Sequence, residues 1–138
     1  MRRAGRAVGS RAALGGLVLA GLLLAPLAGS FGQGSNSVKK LNPYTGKPEA
    51  IQQGRTLYLQ NGCSACHGVM GGGGMGMPLL DDVWKFGSDD ETLFKLIKGQ
   101  IPEQTMPKIF GHLPDDDVWK MIAYIRSIYQ GDPSKINW

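Results

Sequence analysis

Cys63-Ser64-Ala65-Cys66-His67 is the stretch whose reading decides the fold. Two thiols separated by two residues, with a histidine directly after, form the attachment signature for c-type haem. Each thiol can add across one vinyl group of a porphyrin, and the spacing suits the vinyl separation when the chain turns as a helix. The histidine then falls over one face of the ring, where its imidazole can bind iron as proximal ligand. These are the only two cysteines in the chain. A disulfide across so short a loop beside a histidine is an unusual staple. A thioredoxin-like redox pair needs a βαβ setting, and no β-rich segment precedes Cys63. Zinc is the remaining alternative.

Working outward, a helix is expected from Pro48 to Asn61. Proline suits the first helical position, Glu49 complements the positive end of the helix dipole, and Asn61-Gly62 ends the helix just before the cysteines. Ile51, Gly54, Leu57 and Tyr58 recur at helical spacing. A glycine inside a helix costs about 1 kcal/mol relative to alanine, so Gly54 points to the close approach of another helix. Gly68 to Pro78 reads as a loop, since Gly71 to Gly74 exclude a stable helix or strand interior. Met70, Met75 and Met77 in it read either as adaptable packing or as thioether donors to Cu(I). Trp84 and Phe86 need burial, and Trp84 reads either as core or as an N–H donor to a haem propionate.

A second helix is expected to start at Ser88, with Ser88 and Glu91 as a capping box and Asp89 and Asp90 as favourable charges in its first turn, and to stop at Gly99. Leu93, Phe94, Leu96 and Ile97 form its apolar face. Gln100 to His112 is irregular, and Pro107 keeps Met106 out of helical backbone. The last helix begins at Pro114. Asp115, Asp116 and Asp117 read as dipole complementation rather than a metal site, and Val118, Met121, Ile122, Ile125, Ile128 and Tyr129 make its buried stripe. Gly131 to Trp138 reads as a loose tail. The reading is all-α: three main helices in a domain spanning residues 48–131, too small for a large core of its own. A haem supplies the missing apolar area, so folding and haem attachment should be coupled. The expected shell is Leu57, Leu79, Leu80, Trp84, Leu93, Leu96, Ile97, Ile109, Ile122 and Ile125.

Residues 1–30 are expected to be a signal peptide: Arg2, Arg3, Arg6 and Arg11 precede an apolar run from Ala12 to Ala28, and Ala28-Gly29-Ser30 offers small residues for cleavage. The alternative is an uncleaved anchor at the short edge of spanning length. Residues 31–47 read as a flexible leader that touches the domain through Leu41 and Tyr44, and 132–138 as the tail. The formal charge of +4 is carried by the four signal arginines, so the remainder is formally neutral and a basic stripe for nucleic acid is unsupported. Lys85, Lys95, Lys98 and Lys108 read as a solvated surface, or as cations around a haem edge that steer an acidic partner.

Over about residues 49–129 the pattern resembles a class I monohaem cytochrome c. Gly54 and Tyr124 match the glycine and aromatic where the N- and C-terminal helices of that family cross, and Tyr58 matches the aromatic one turn on. The segment Leu80–Met106 is similar to cytochrome c domains serving haem–copper oxidases or quinoprotein alcohol dehydrogenases. The glycine-rich loop departs from the shorter haem loops of mitochondrial-type members. The resemblance implies one haem c on Cys63 and Cys66, His67 and Met106 as axial iron ligands, and the Pro78 carbonyl as acceptor for His67 Nδ1–H. Rival sixth ligands are His112, Met75 and Met77, with Met121 read as core. It further implies a non-enzymatic single-electron carrier of the bacterial periplasm, membrane-bound only if residues 1–30 stay attached. A redox protein donor and acceptor would serve it: a dehydrogenase, a quinol-oxidising complex or a terminal oxidase. Alternatives are a subunit through which electrons enter a larger oxidase or dehydrogenase complex, and a haem sensor or peroxidase with a labile Met106.

Overall fold

Pro48 opens α1, Pro48–Gln60, with Glu49 in its first turn. Three further helices follow: α2, Cys63–His67; α3, Asp90–Ile97; and α4, Asp115–Ile128, before a single 3-10 turn at Pro133–Lys135. The computed structural model describes residues 40–137, and no strand occurs among them. The expected signal segment and the leader up to residue 39 lie outside the described residues. Among the described residues no helix is long and apolar enough to cross a membrane.

α1 packs on α4 more extensively than any other helix pair packs. A Cβ on Gly54 would stand 1.9 Å from the Lys120 carbonyl oxygen, so only a bare Cα allows the backbones this close. At this crossing Gly54 meets the backbone of Lys120, and Tyr124 pairs with Tyr58, ring centroids 5.3 Å apart at 60°. Val118, Met121 and Ile122 of α4 are fully buried between the helices, with Leu93 and Ile97 of α3 packed against them. Trp119 stacks on Phe94 at 4.5 Å.

The start of α3 differs from the expectation. Asp89, not Ser88, is the cap: its carboxylate accepts from Thr92 N–H at 2.9 Å and from the Thr92 hydroxyl at 2.8 Å. Ser88 is one residue too early, and its Oγ accepts from Asn137 N–H at 2.8 Å. Glu91 turns outward to Lys95. Asp90 is more than a dipole charge. It pairs with Arg126 Nε at 2.7 Å, the two side chains being 2% and 4% exposed, and accepts from Asn42 N–H at 3.1 Å. A charge buried this deeply persists only when paired and hydrogen-bonded, and Arg126 also donates to the Ser88 carbonyl.

The two ends of the domain are anchored. Asn42 Nδ2 donates to the Trp119 carbonyl at 2.8 Å, and the Tyr44 hydroxyl donates to Asp116. Leu41, by contrast, is exposed, so Asn42 takes the role expected of it. The tail is not loose: Asp82 accepts from the Tyr129 hydroxyl, from Asp132 N–H at 3.0 Å and from Lys135 Nζ at 2.9 Å. Ile136 in the tail is buried.

Candidate haem-binding site

Gly62, at φ 73, separates α1 from α2. Glycine adopts this left-handed backbone without the Cβ penalty. The redirected turn brings Cys63, Cys66 and His67 to the wall of one cavity of about 570 Å³, inside the range of roughly 300–1,000 Å³ common for cofactor pockets. Neither cysteine is in a disulfide among the described residues. Burial pushes the Cys63 thiol up. That is the reverse of a reactive redox cysteine, whose thiol is shifted down.

Met106 reaches the same cavity from the irregular segment after α3. Gln104 fastens it: Nε2 donates to the carbonyls of Met106 at 2.9 Å and Leu96 at 3.0 Å, and Oε1 accepts from Ile101 N–H at 3.1 Å. His112 is exposed, with Nδ1 2.9 Å from the Ile109 carbonyl, and is not among the cavity residues. Met75 and Met77 do line the cavity, whereas Met70 does not. The Met75 side chain is 86% exposed.

Of the expected shell, Leu79, Trp84, Leu93, Leu96, Ile97, Ile109 and Ile125 line the cavity, and Leu57, Leu80 and Ile122 do not. Ile122 is spent between the helices. Val83 and Phe110 line it without any sequence signal, and Phe86 and Met121, expected only to be buried, line it as well. Met121 was legible, because it lies one turn before Ile125 on the same face.

His67 Nδ1 lies 2.8 Å from the Met77 carbonyl. The expected acceptor was the Pro78 carbonyl, one residue later. Leu79 N–H donates to the Gly71 carbonyl at 2.8 Å. A trans peptide points its C=O opposite its N–H, which turns the Pro78 carbonyl away from Gly71. A carbonyl can only accept, so Nδ1 carries the proton and Nε2 keeps its lone pair for a metal.

The cavity suits a covalent haem by its own chemistry: apolar walls, two thiols, an imidazole with a free lone pair, and thioethers. Trp84 Nε1 is a buried donor with no hydrogen-bond partner among the described residues. Such a group needs an acceptor, and a haem carboxylate at the cavity wall fits it. Of the four lysines, Lys95 pairs with Glu91 at 2.5 Å and Lys98 with Asp115 at 2.9 Å. Lys85 lies at the cavity wall, and Lys108 packs its stem near Gly99. Among the described residues no group of three His, Cys, Asp or Glu side chains could hold a metal ion.

The chain belongs to the family described as cytochrome C oxidase, cbb3-type, subunit III, matched over residues 49–125. It is a class I monohaem c-type cytochrome, with one covalently bound haem c. Cytochrome c-L of Methylorubrum extorquens is 30% identical over 114 residues, covering 78% of this chain and 57% of that protein. The cbb3-type oxidase subunit FixP of Bradyrhizobium diazoefficiens is 34% identical over 101 residues, covering 70% and 34%. The crystal structure of cytochrome cL from Methylophaga aminisulfidivorans superimposes with TM-score 0.63 at 32% identity, covering 71% of this chain and 65% of that one. That from Hyphomicrobium denitrificans also gives 0.63 at 32% identity, covering 71% and 58%. The chain thus spans 57% or less of these two curated relatives.

Proposed function

We propose that this chain is a single-electron carrier whose haem iron is held by His67 and Met106, working in a periplasmic respiratory or dehydrogenase-linked chain. The observation that carries the reading is that Cys63, Cys66 and His67 of α2 and Met106 of the segment after α3 share one apolar cavity. When bound, haem c supplies a one-electron couple at its iron. The chain's own residues do the rest. Cys63 and Cys66 tether it, and His67 presents Nε2 while its Nδ1 proton is held by the Met77 carbonyl. Met106 offers a soft thioether, which favours ferrous iron, and the buried Trp84 Nε1–H would donate to a propionate. Apolar walls exclude water and favour the less charged ferrous state. With His67 and Met106 both committed to the iron, the protein would leave oxygen or peroxide no place to bind there. Met106 is preferred over Met75 and Met77 because both of those belong to the loop that supplies the His67 acceptor.

Met106→Ala in the haem-loaded protein tests this. The variant should have a lower midpoint potential and bind carbon monoxide readily when reduced. An unchanged visible spectrum and potential would remove Met106 from the iron.

Partners would be a redox protein donor and acceptor, and export would follow from residues 1–30. The second reading, a subunit feeding electrons into a larger complex, is favoured by one finding: FixP and CcoP relatives are named as subunits of cbb3-type oxidases. Migration of the native protein alone, rather than with an oxidase or dehydrogenase, separates the two.

A further inference from the structure

The carrier reading leaves residues 68–78 without a task beyond one carbonyl, yet their main chain is tightly tied to α2. Gly73 N–H donates to the His67 carbonyl at 2.8 Å and Gly76 N–H to the Cys66 carbonyl at 2.9 Å. These are carbonyls that a helix end leaves without partners of its own. Tyr58 adds a hydroxyl bond to the Gly68 carbonyl at 2.6 Å.

Gly76 is a glycine for a different reason than Gly71 and Gly73. Gly71 and Gly73 lie at φ 75 and 88, a backbone reason for glycine, whereas Gly76 has no positive φ. Its reason is contact: a Cβ there would lie 2.9 Å from both Cε1 and Nδ1 of His67 and 3.2 Å from Nε2. Three nearly equal distances put that position over the flat face of the imidazole, not off its edge. The ring is therefore fixed twice, along its plane by the Met77 carbonyl and across its plane by the Gly76 backbone.

We propose that Gly76 is a positioning residue for the iron ligand: its bare Cα is the surface on which the His67 ring lies, which keeps Nδ1–H aimed at the Met77 carbonyl. This rests on His67 being the iron ligand. Donation from Nδ1–H raises the basicity of the imidazole, and a more basic ligand favours ferric iron. A side chain at position 76 must tilt the ring, weaken that bond and raise the midpoint potential.

The test compares haem-loaded wild type, Gly76→Ala and Gly72→Ala by midpoint potential and by the proton NMR signal of His67 Nδ1–H. Gly72 is the control, because a Cβ there meets nothing within 4 Å and its φ is not positive. Gly76→Ala should shift the reduction equilibrium about tenfold toward ferrous iron, ~59 mV for one electron, and move the Nδ1–H signal. Gly72→Ala should do neither. Equal potentials and signals in the two variants overturn the proposal. Should Gly76→Ala fail to take up haem, one glycine inserted after Gly72 slackens the same loop without adding bulk. An upward shift then supports the proposal, and an unchanged potential overturns it. The ligation reading is scored separately: a wild-type ferric spectrum without low-spin nitrogen and sulfur ligation sinks both, whereas a normal wild type with a silent Gly76→Ala sinks only the role of Gly76.

Discussion

Around His67 the chain closes on itself through its main chain: Gly73, Gly76 and Leu79 donate to the carbonyls of His67, Cys66 and Gly71. Around Met106, among the described residues, the one backbone bond inside the turn is Gln104 N–H to the Ile101 carbonyl at 3.4 Å, and the Gln104 side chain makes three further connections. Glu103 in the same turn stands at φ 57, a left-handed conformation in a non-glycine residue, at a cost on the order of 1–2 kcal/mol. The lesson concerns where mutation can act. No single side chain, once deleted, removes the main-chain bonds of the His67 side, whereas one deletion can free Met106.

The largest effect comes from removing the support both sides share. A methyl at Gly54 would meet the Lys120 carbonyl oxygen at 1.9 Å, and a backbone atom cannot swing aside as a side-chain tip can. Gly54→Ala should separate α1 from α4 and cost about 3 kcal/mol or more. Denaturant midpoints of the haem-loaded protein measure it. A near-normal midpoint would mean that the crossing is not what holds the two sides together.

Gln104→Ala is the selective break. It strands one amide and two carbonyls, costing about 1–3 kcal/mol, and leaves the α1–α4 crossing intact. On the proposed ligation, the reduced variant should bind carbon monoxide faster than wild type, while the His67 signals stay in place. If carbon monoxide binding is unchanged, the segment is held by its packing and the contrast between the two sides disappears.

That contrast also marks what the sequence made legible. The helices, the Cys-x-x-Cys-His motif and the reason for Gly54 follow from periodicity, spacing and the cost of a mid-helix glycine. Met106-Pro107 stood out because proline forbids helix there. Gln104 carried no signal, since a glutamine in an irregular segment looks like surface until its three partners are placed. Asp90 looks locally like a dipole charge, because its partner Arg126 is distant in sequence. Pro78 was one residue off because the direction of a carbonyl depends on which way each peptide of the loop turns. Asp82 and the tail escaped for the same reason, being contacts between segments with no local pattern.

The smallest effect is a pH dependence that probes the His67 side alone. Burial, the largest cause, pushes the Tyr58 hydroxyl up to about 12, against about 10 in an unfolded chain. The folded state therefore holds this proton more tightly. The stability it contributes is fully present below about pH 10 and is lost as pH rises toward about 12. Tyr129 is also raised to about 12, first by its hydrogen bond to Asp82, and serves as the comparison, because it fastens the tail and not the loop. Tyr58→Phe should cost about 1 kcal/mol at neutral pH for the lost bond to the Gly68 carbonyl and flatten part of the alkaline slope of the urea midpoint. Tyr129→Phe should flatten a separate part, since the two hydroxyls share no partner. None of the three groups bonded by Gln104 titrates in this window, so alkali should weaken the His67 side while leaving the Gln104 fork intact. A slope unchanged by Tyr58→Phe would show that this hydroxyl does not help to hold the loop under His67.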